Sequence, residues 1–116
     1  MPKTESPLKK ESPYVFKAGA RPARELAPGV MGHEAKMLGG MTLRYQERKP
    51  GPQAAGWCET GHSVFMLGGR LRYEFSDHAV ELGPGDMAHI PAGHEHRHRP
   101  QALGAEPARY YLTEFE

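Results

Sequence analysis

Residues 85–100 read GDMAHIPAGHEHRHRP and place His94, His96 and His98 at alternate positions. Side chains of a strand alternate between faces, so an extended backbone here would carry the three imidazoles on one face. Crowded imidazoles repel one another once protonated, whereas neutral ones are good ligands for a divalent transition metal. The cluster predicts a metal site, entered from a tight turn and completed by partners elsewhere in the chain. No nucleophile elbow, phosphate-cradling glycine loop or serine-based triad pattern accompanies it.

The elements that must position these histidines are strands. Gly and Pro recur so often after Tyr14 that long helices are nearly excluded. Residues 70–82, free of both, alternate with Leu71, Tyr73 and Phe75 on one face and Arg70, Arg72 and Glu74 on the other. Ser76 and Asp77 suit a hairpin turn leading to a second strand through Val80 and Leu82, and Gly83 to Asp86 form another turn. Further strands are expected at Val30–Leu38, Met41–Arg48, Ser63–Leu67, Met87–Ile90, His94–Arg99 and Arg109–Phe115, with loops at 49–56 and 100–107. Val64 to Leu67 is apolar on both faces, as in a strand covered on both sides. Many short strands with regular turns predict an all-β sandwich or barrel. Residues 1–13, polar and proline-punctuated, read as a flexible arm, and 14–116 as one domain.

Composition limits the function classes. A net charge of +1 with interspersed signs lacks the basic footprint of a nucleic-acid binder. No apolar run is long enough to cross a bilayer, and the N-terminus lacks the apolar stretch of a signal peptide, so a cytoplasmic setting is expected. The single cysteine, Cys58, has no partner for an internal disulfide and fits a reducing compartment.

Gly85, Pro91, Gly93 and His96 stand at the spacing of the second motif of the cupins, which this chain resembles. That resemblance implies a double-stranded β-helix, or jelly-roll, barrel with His96 pointing inward as a metal ligand. The first cupin motif, Gly, His-x-His, Glu and Gly, is altered. Counting back from Gly69 places His62 where the glutamate belongs, and Gly56 and Cys58 where the two histidines belong. By this resemblance Cys58, His62 and His96 hold one divalent metal: zinc, iron or nickel, given sulfur and nitrogen donors. Glu59 is a competing ligand, since a one-residue slip would turn it inward to form a two-His-one-carboxylate set. His98 is expected as a fourth ligand or a base, and Tyr45 and Tyr73 as cavity walls, with His98 or Tyr45 moving a proton. His94 reads as a rim residue, Trp57 as packing or pocket wall, and His33, His78 and His89 as structural.

The resemblance leaves function open, because cupins include isomerases, dioxygenases, lyases, decarboxylases and plain binding domains. One expectation is Lewis-acid chemistry, isomerisation or elimination, on a small molecule bearing a carboxylate or a hydroxyl-carbonyl pair. The alternative is a small-molecule or metal-binding module without turnover, favoured by the altered first motif. The doubly apolar strand at 64–67 predicts a homodimer, with the segment from Tyr14 packed on the neighbour.

Overall fold

The computed structural model describes residues 12–20, 22–51 and 56–116. Most of the predicted arm, residues 1–11, and residues 52–55 of the predicted 49–56 loop lie outside these. Among the described residues there are nine strands: β1 (Arg24–Ala27), β2 (Val30–Lys36), β3 (Thr42–Arg48), β4 (Gly61–Gly68), β5 (Arg70–Glu74), β6 (Ala79–Leu82), β7 (Met87–Ile90), β8 (Arg99–Leu103) and β9 (Ala108–Phe115). They form a six-stranded sheet in the order β1-β2-β3-β9-β4-β7 and a three-stranded sheet in the order β6-β5-β8. Neighbouring strands are antiparallel throughout, and the two sheets face each other in a jelly roll. Among the described residues no helix is long and apolar enough to cross a membrane.

The core follows the period-two pattern. Val64 and Met66 of β4 and Tyr110 and Leu112 of β9 face Leu71 and Tyr73 of β5, all nearly inaccessible. Within the single chain the strand at 64–67 is covered on one face, and Phe65 on the other is 39% exposed. β3 reverses the usual pattern. Its inward positions Thr42, Arg44, Gln46 and Arg48 are polar, while Leu43 and Tyr45 point outward. A polar inner face needs water or a ligand beside it, and this is where the barrel stays hollow.

Two turns locate the later strands. Gly69 is the only residue between β4 in one sheet and β5 in the other. It adopts φ 70°, and a Cβ there would run into the backbone of Pro107 and Ala108. Gly83 to Asp86 turns as expected, with the Gly83 amide donating to Asp86 Oδ2 at 2.9 Å. The stretch after Pro91 departs from the expected strand. Gly93 adopts φ 128° and His94–His96 closes a 3-10 turn, with the Arg97 amide donating to the His94 carbonyl. A helical turn has no period of two, so the three imidazoles diverge. The strand begins later, at the last residue of the expected one, Arg99, and runs on to Leu103 through what composition marks as a loop.

Candidate metal centre

Cys58 and His98 are joined by a two-way backbone pair. The Cys58 amide donates to the His98 carbonyl at 2.8 Å, and the His98 amide to the Cys58 carbonyl at 3.0 Å. Residues paired in this way project their side chains to the same face. His62 reaches that space from β4, on the same face as Val64 and Met66. One ligand atom from each of Cys58, His62 and His98 lies within 4.8 Å of the others. His98 is fully buried and His62 is 7% exposed.

Hydrogen-bond accounting fixes what these atoms offer. His98 Nδ1 lies 3.0 Å from the His96 carbonyl, which only accepts, so Nδ1 carries the hydrogen. His62 Nε2 lies 3.1 Å from Glu114 Oε2. Glu114 is held ionised, its pKa lowered by the bond to His62 against the cost of burial and further by Arg44. An ionised carboxylate only accepts, so His62 Nε2 also carries a hydrogen. The neutral rings then present His62 Nδ1 and His98 Nε2 as lone pairs facing each other at 3.2 Å. Two lone pairs at that distance repel unless a proton or cation lies between them. Two imidazole nitrogens on one tetrahedral metal would stand about 3.3 Å apart, so the donors fit a transition metal.

The sulfur suits the same role. With His98 in its protonated form, where Nε2 also carries a hydrogen, the bond it donates lowers the Cys58 pKa against the opposing effect of burial, with help from the Thr60 amide. Burial disfavours charge on His98, yet its bonds to Cys58 and to the His96 carbonyl bring its pKa out above the usual value. Thiolate is the ligating form of cysteine. Glu114 is anchored in turn by Arg44 Nη1 at 3.3 Å, and Arg44 Nε donates to Glu34 at 2.9 Å.

The group opens on a cavity of about 610 Å³ between the sheets, lined also by Gln46, Arg48, Tyr73 and Tyr110. Arg48 Nε donates to the Tyr110 hydroxyl at 3.1 Å. Burial raises the Tyr110 pKa, only partly countered by Arg48, and burial raises that of Tyr73 well above the usual value.

The remaining residues named from the sequence fall elsewhere. His96, assigned as a ligand by motif counting, sits in the 3-10 turn outside the close group, and His98 takes its place. Glu59 is exposed and its carboxylate meets His94 Nδ1 at 2.8 Å, so the Glu59/His62/His96 set is not brought together. Tyr45 lies on the outer face of β3, bonded to Glu47 at 2.7 Å, and does not line the cavity, whereas Tyr73 does. Trp57 stands at the rim beneath Arg99, 4.3 Å from its ring centre. His33 stacks on Tyr45, His78 on Phe75 and His89 on Phe115, each apart from the close group. Sequence reasoning missed Glu114, Gln46, Arg48 and Tyr110. The signal available for two of them was the reversed polarity of β3.

A jelly roll whose hollow brings Cys and His donors this close together has a place that could hold a metal ion. Residues 52–114 match the cupin domain family, more than half of the chain. The chain belongs to that family. No curated protein matches it in sequence. Among solved structures it is similar to KdgF from Halomonas sp., at 13% identity and TM-score 0.65 over 83% of this chain and 87% of that one. The cupin domain of Schizosaccharomyces pombe Cnp3 aligns at 12% identity and TM-score 0.69, over 88% and 68%. An S161A mutant of Bacillus subtilis oxalate decarboxylase OxdC aligns at 22% identity and TM-score 0.66, over 87% of this chain and 29% of that one. At such identities the likeness is one of fold.

Proposed function

We propose that this domain holds one divalent transition metal on Cys58, His62 and His98 and binds there a small oxygen-bearing molecule. The observation that carries the reading is the facing pair of imidazole nitrogens at 3.2 Å with Cys58 beside them, each ring's own hydrogen being directed away. Sulfur with two nitrogens suits zinc, iron or nickel and disfavours magnesium and calcium, which take oxygen ligands. When bound, the metal supplies Lewis acidity toward a carbonyl or hydroxyl oxygen, which suits isomerase or lyase chemistry. Around it Glu114 orients His62, the His96 carbonyl orients His98, and the two-sheet wall limits access of bulk water. Tyr110 and Tyr73 bring hydroxyls to the cavity able to donate to a ligand oxygen.

A second reading, binding without turnover, is favoured by one observation. Glu114 is the carboxylate lining the cavity, and it is committed to His62 and Arg44. Proton abstraction from a substrate needs a base that is free to act. A homodimer in the cytoplasm completes the proposal. The row His33, Tyr45, Tyr111, Phe65 and Met87 crosses five neighbouring strands on the outer face. A second copy of the same row, related by a two-fold axis, is the occupant that suits it.

The test is elemental analysis of untagged protein, with cobalt(II) substitution as a direct probe of the sulfur. About one equivalent of metal is expected in the wild type and in His96→Ala, with a thiolate-to-cobalt absorption band that Cys58→Ser abolishes. His62→Ala and His98→Ala should lose the metal. Retention by Cys58→Ser and His98→Ala, or loss only in His96→Ala, would sink the assignment.

A further inference from the structure

Lining the same cavity as Cys58 and His62 is a cation that the proposed metal does not use. Arg48 points inward from β3 and gives its Nε hydrogen to the neutral Tyr110 hydroxyl. Among the described residues no carboxylate pairs with it, which leaves the two Nη groups free for a ligand. Arg44, two residues earlier, is by contrast held by Glu34 and Glu114. A half-buried guanidinium without a counter-ion is costly to keep, and a carboxylate arriving on its fork offsets that cost with two parallel charge-assisted bonds.

Two further polar groups face the same space without partners. Gln46 is 5% exposed and Tyr73 is 1% exposed, both line the cavity, and among the described residues neither side chain has a hydrogen-bond partner. Buried amides and phenols are normally satisfied, so unpartnered ones turned toward a cavity mark where a ligand's polar atoms go. The volume, about 610 Å³, lies within the range of small-molecule sites.

We propose that Arg48, with Gln46 and Tyr73, is a carboxylate-holding subsite, so that the ligand is a small organic acid with a second oxygen function. Arg48 takes the carboxylate on its Nη groups, Gln46 and Tyr73 bond the remaining oxygens, and the second function reaches toward Cys58, His62 and His98. This placement of the second function rests on the metal proposed above. The carboxylate end does not.

Calorimetric titration of the metal-loaded full chain with malonate, succinate and glutarate, each beside its diamide, tests the subsite. At least one diacid should bind, and its diamide about 10-fold or more weakly. Arg48→Met and Arg48→Lys should each weaken the diacid about 10- to 100-fold, the range for a lost charge-assisted pair. Metal content should be unchanged in both. Arg48→Lys keeps the charge and loses only the fork, so its loss of affinity separates recognition from a folding defect. The subsite is overturned if no diacid binds at millimolar concentration, if diamides bind as well as diacids, or if Arg48→Lys binds like the wild type. A wild type that holds no metal yet binds a diacid through Arg48 would remove the metal and keep the subsite.

Discussion

Glu114 decides how well His62 can serve as a ligand. It lies opposite His62 in the β4–β9 register, and its carboxylate takes the ring hydrogen at 3.1 Å. That bond leaves Nδ1 as the lone pair facing His98, and its loss frees the ring to turn or to change tautomer. Glu114→Gln should therefore weaken metal binding about 10- to 100-fold while the fold persists. Competition with a chelator of known affinity measures this, and an unchanged affinity would show that Glu114 does not orient the ring. His98 and His96 show where residue-level reading stopped. The histidine repeat was visible, but which ring enters the barrel depends on where the turn after Gly93 ends. A 3-10 turn uses three residues without alternation, so counting from Gly85 selects His96, two positions before the ring that lies with Cys58 and His62. That Cys58 and His62 come close together was legible because Gly69 fixes the frame behind them. Glu114 was not, being some fifty positions from His62 and brought to it only by strand pairing.

Gly69 carries the barrel's connectivity at the scale of elements. The chain passes from one sheet to the other through this single residue, at φ 70°, against the backbone of Pro107 and Ala108. A side chain there meets both the left-handed penalty and a backbone that must move aside. Gly69→Ala should cost about 2–4 kcal/mol in denaturant unfolding. A change under about 0.5 kcal/mol, the size of an ordinary surface substitution, would show that the crossing tolerates a Cβ. The strands were legible where one face is buried, as in β4, β5, β7 and β9. β1 was missed because Arg24–Ala27 pairs only with β2 at the sheet edge and stays largely exposed, leaving no apolar alternation to read. β8 was missed because Pro100 argues against a strand, yet β8 is an edge strand, where proline is tolerated.

At the scale of the whole molecule the two faces of the large sheet divide the work. The inner face lines the cavity beside Cys58, His62 and His98, and the outer face carries a row that a solvated sheet would not keep. Phe65 is 39%, Tyr111 41% and Met87 69% exposed, and all three line an apolar hollow with Leu43 and Phe16. Clustered exposed side chains of this kind mark interaction surfaces, unlike the scattered apolar residues of any surface. The doubly apolar pattern at Val64 to Leu67 was thus legible as a sequence, and it is the ground for expecting a second copy as the partner on its outer side. With a second copy as that partner, light scattering coupled to size exclusion should give twice the chain's 12.9 kDa mass at micromolar concentration. Phe65→Arg and Met87→Arg place two charges at the pairing of β4 with β7, and again on the copy across the axis. Either change should shift the protein to a monomer, and each should leave the metal content intact because the cavity lies on the opposite face. A monomeric wild type, or a dimer indifferent to both charges, would place the interface elsewhere or remove it.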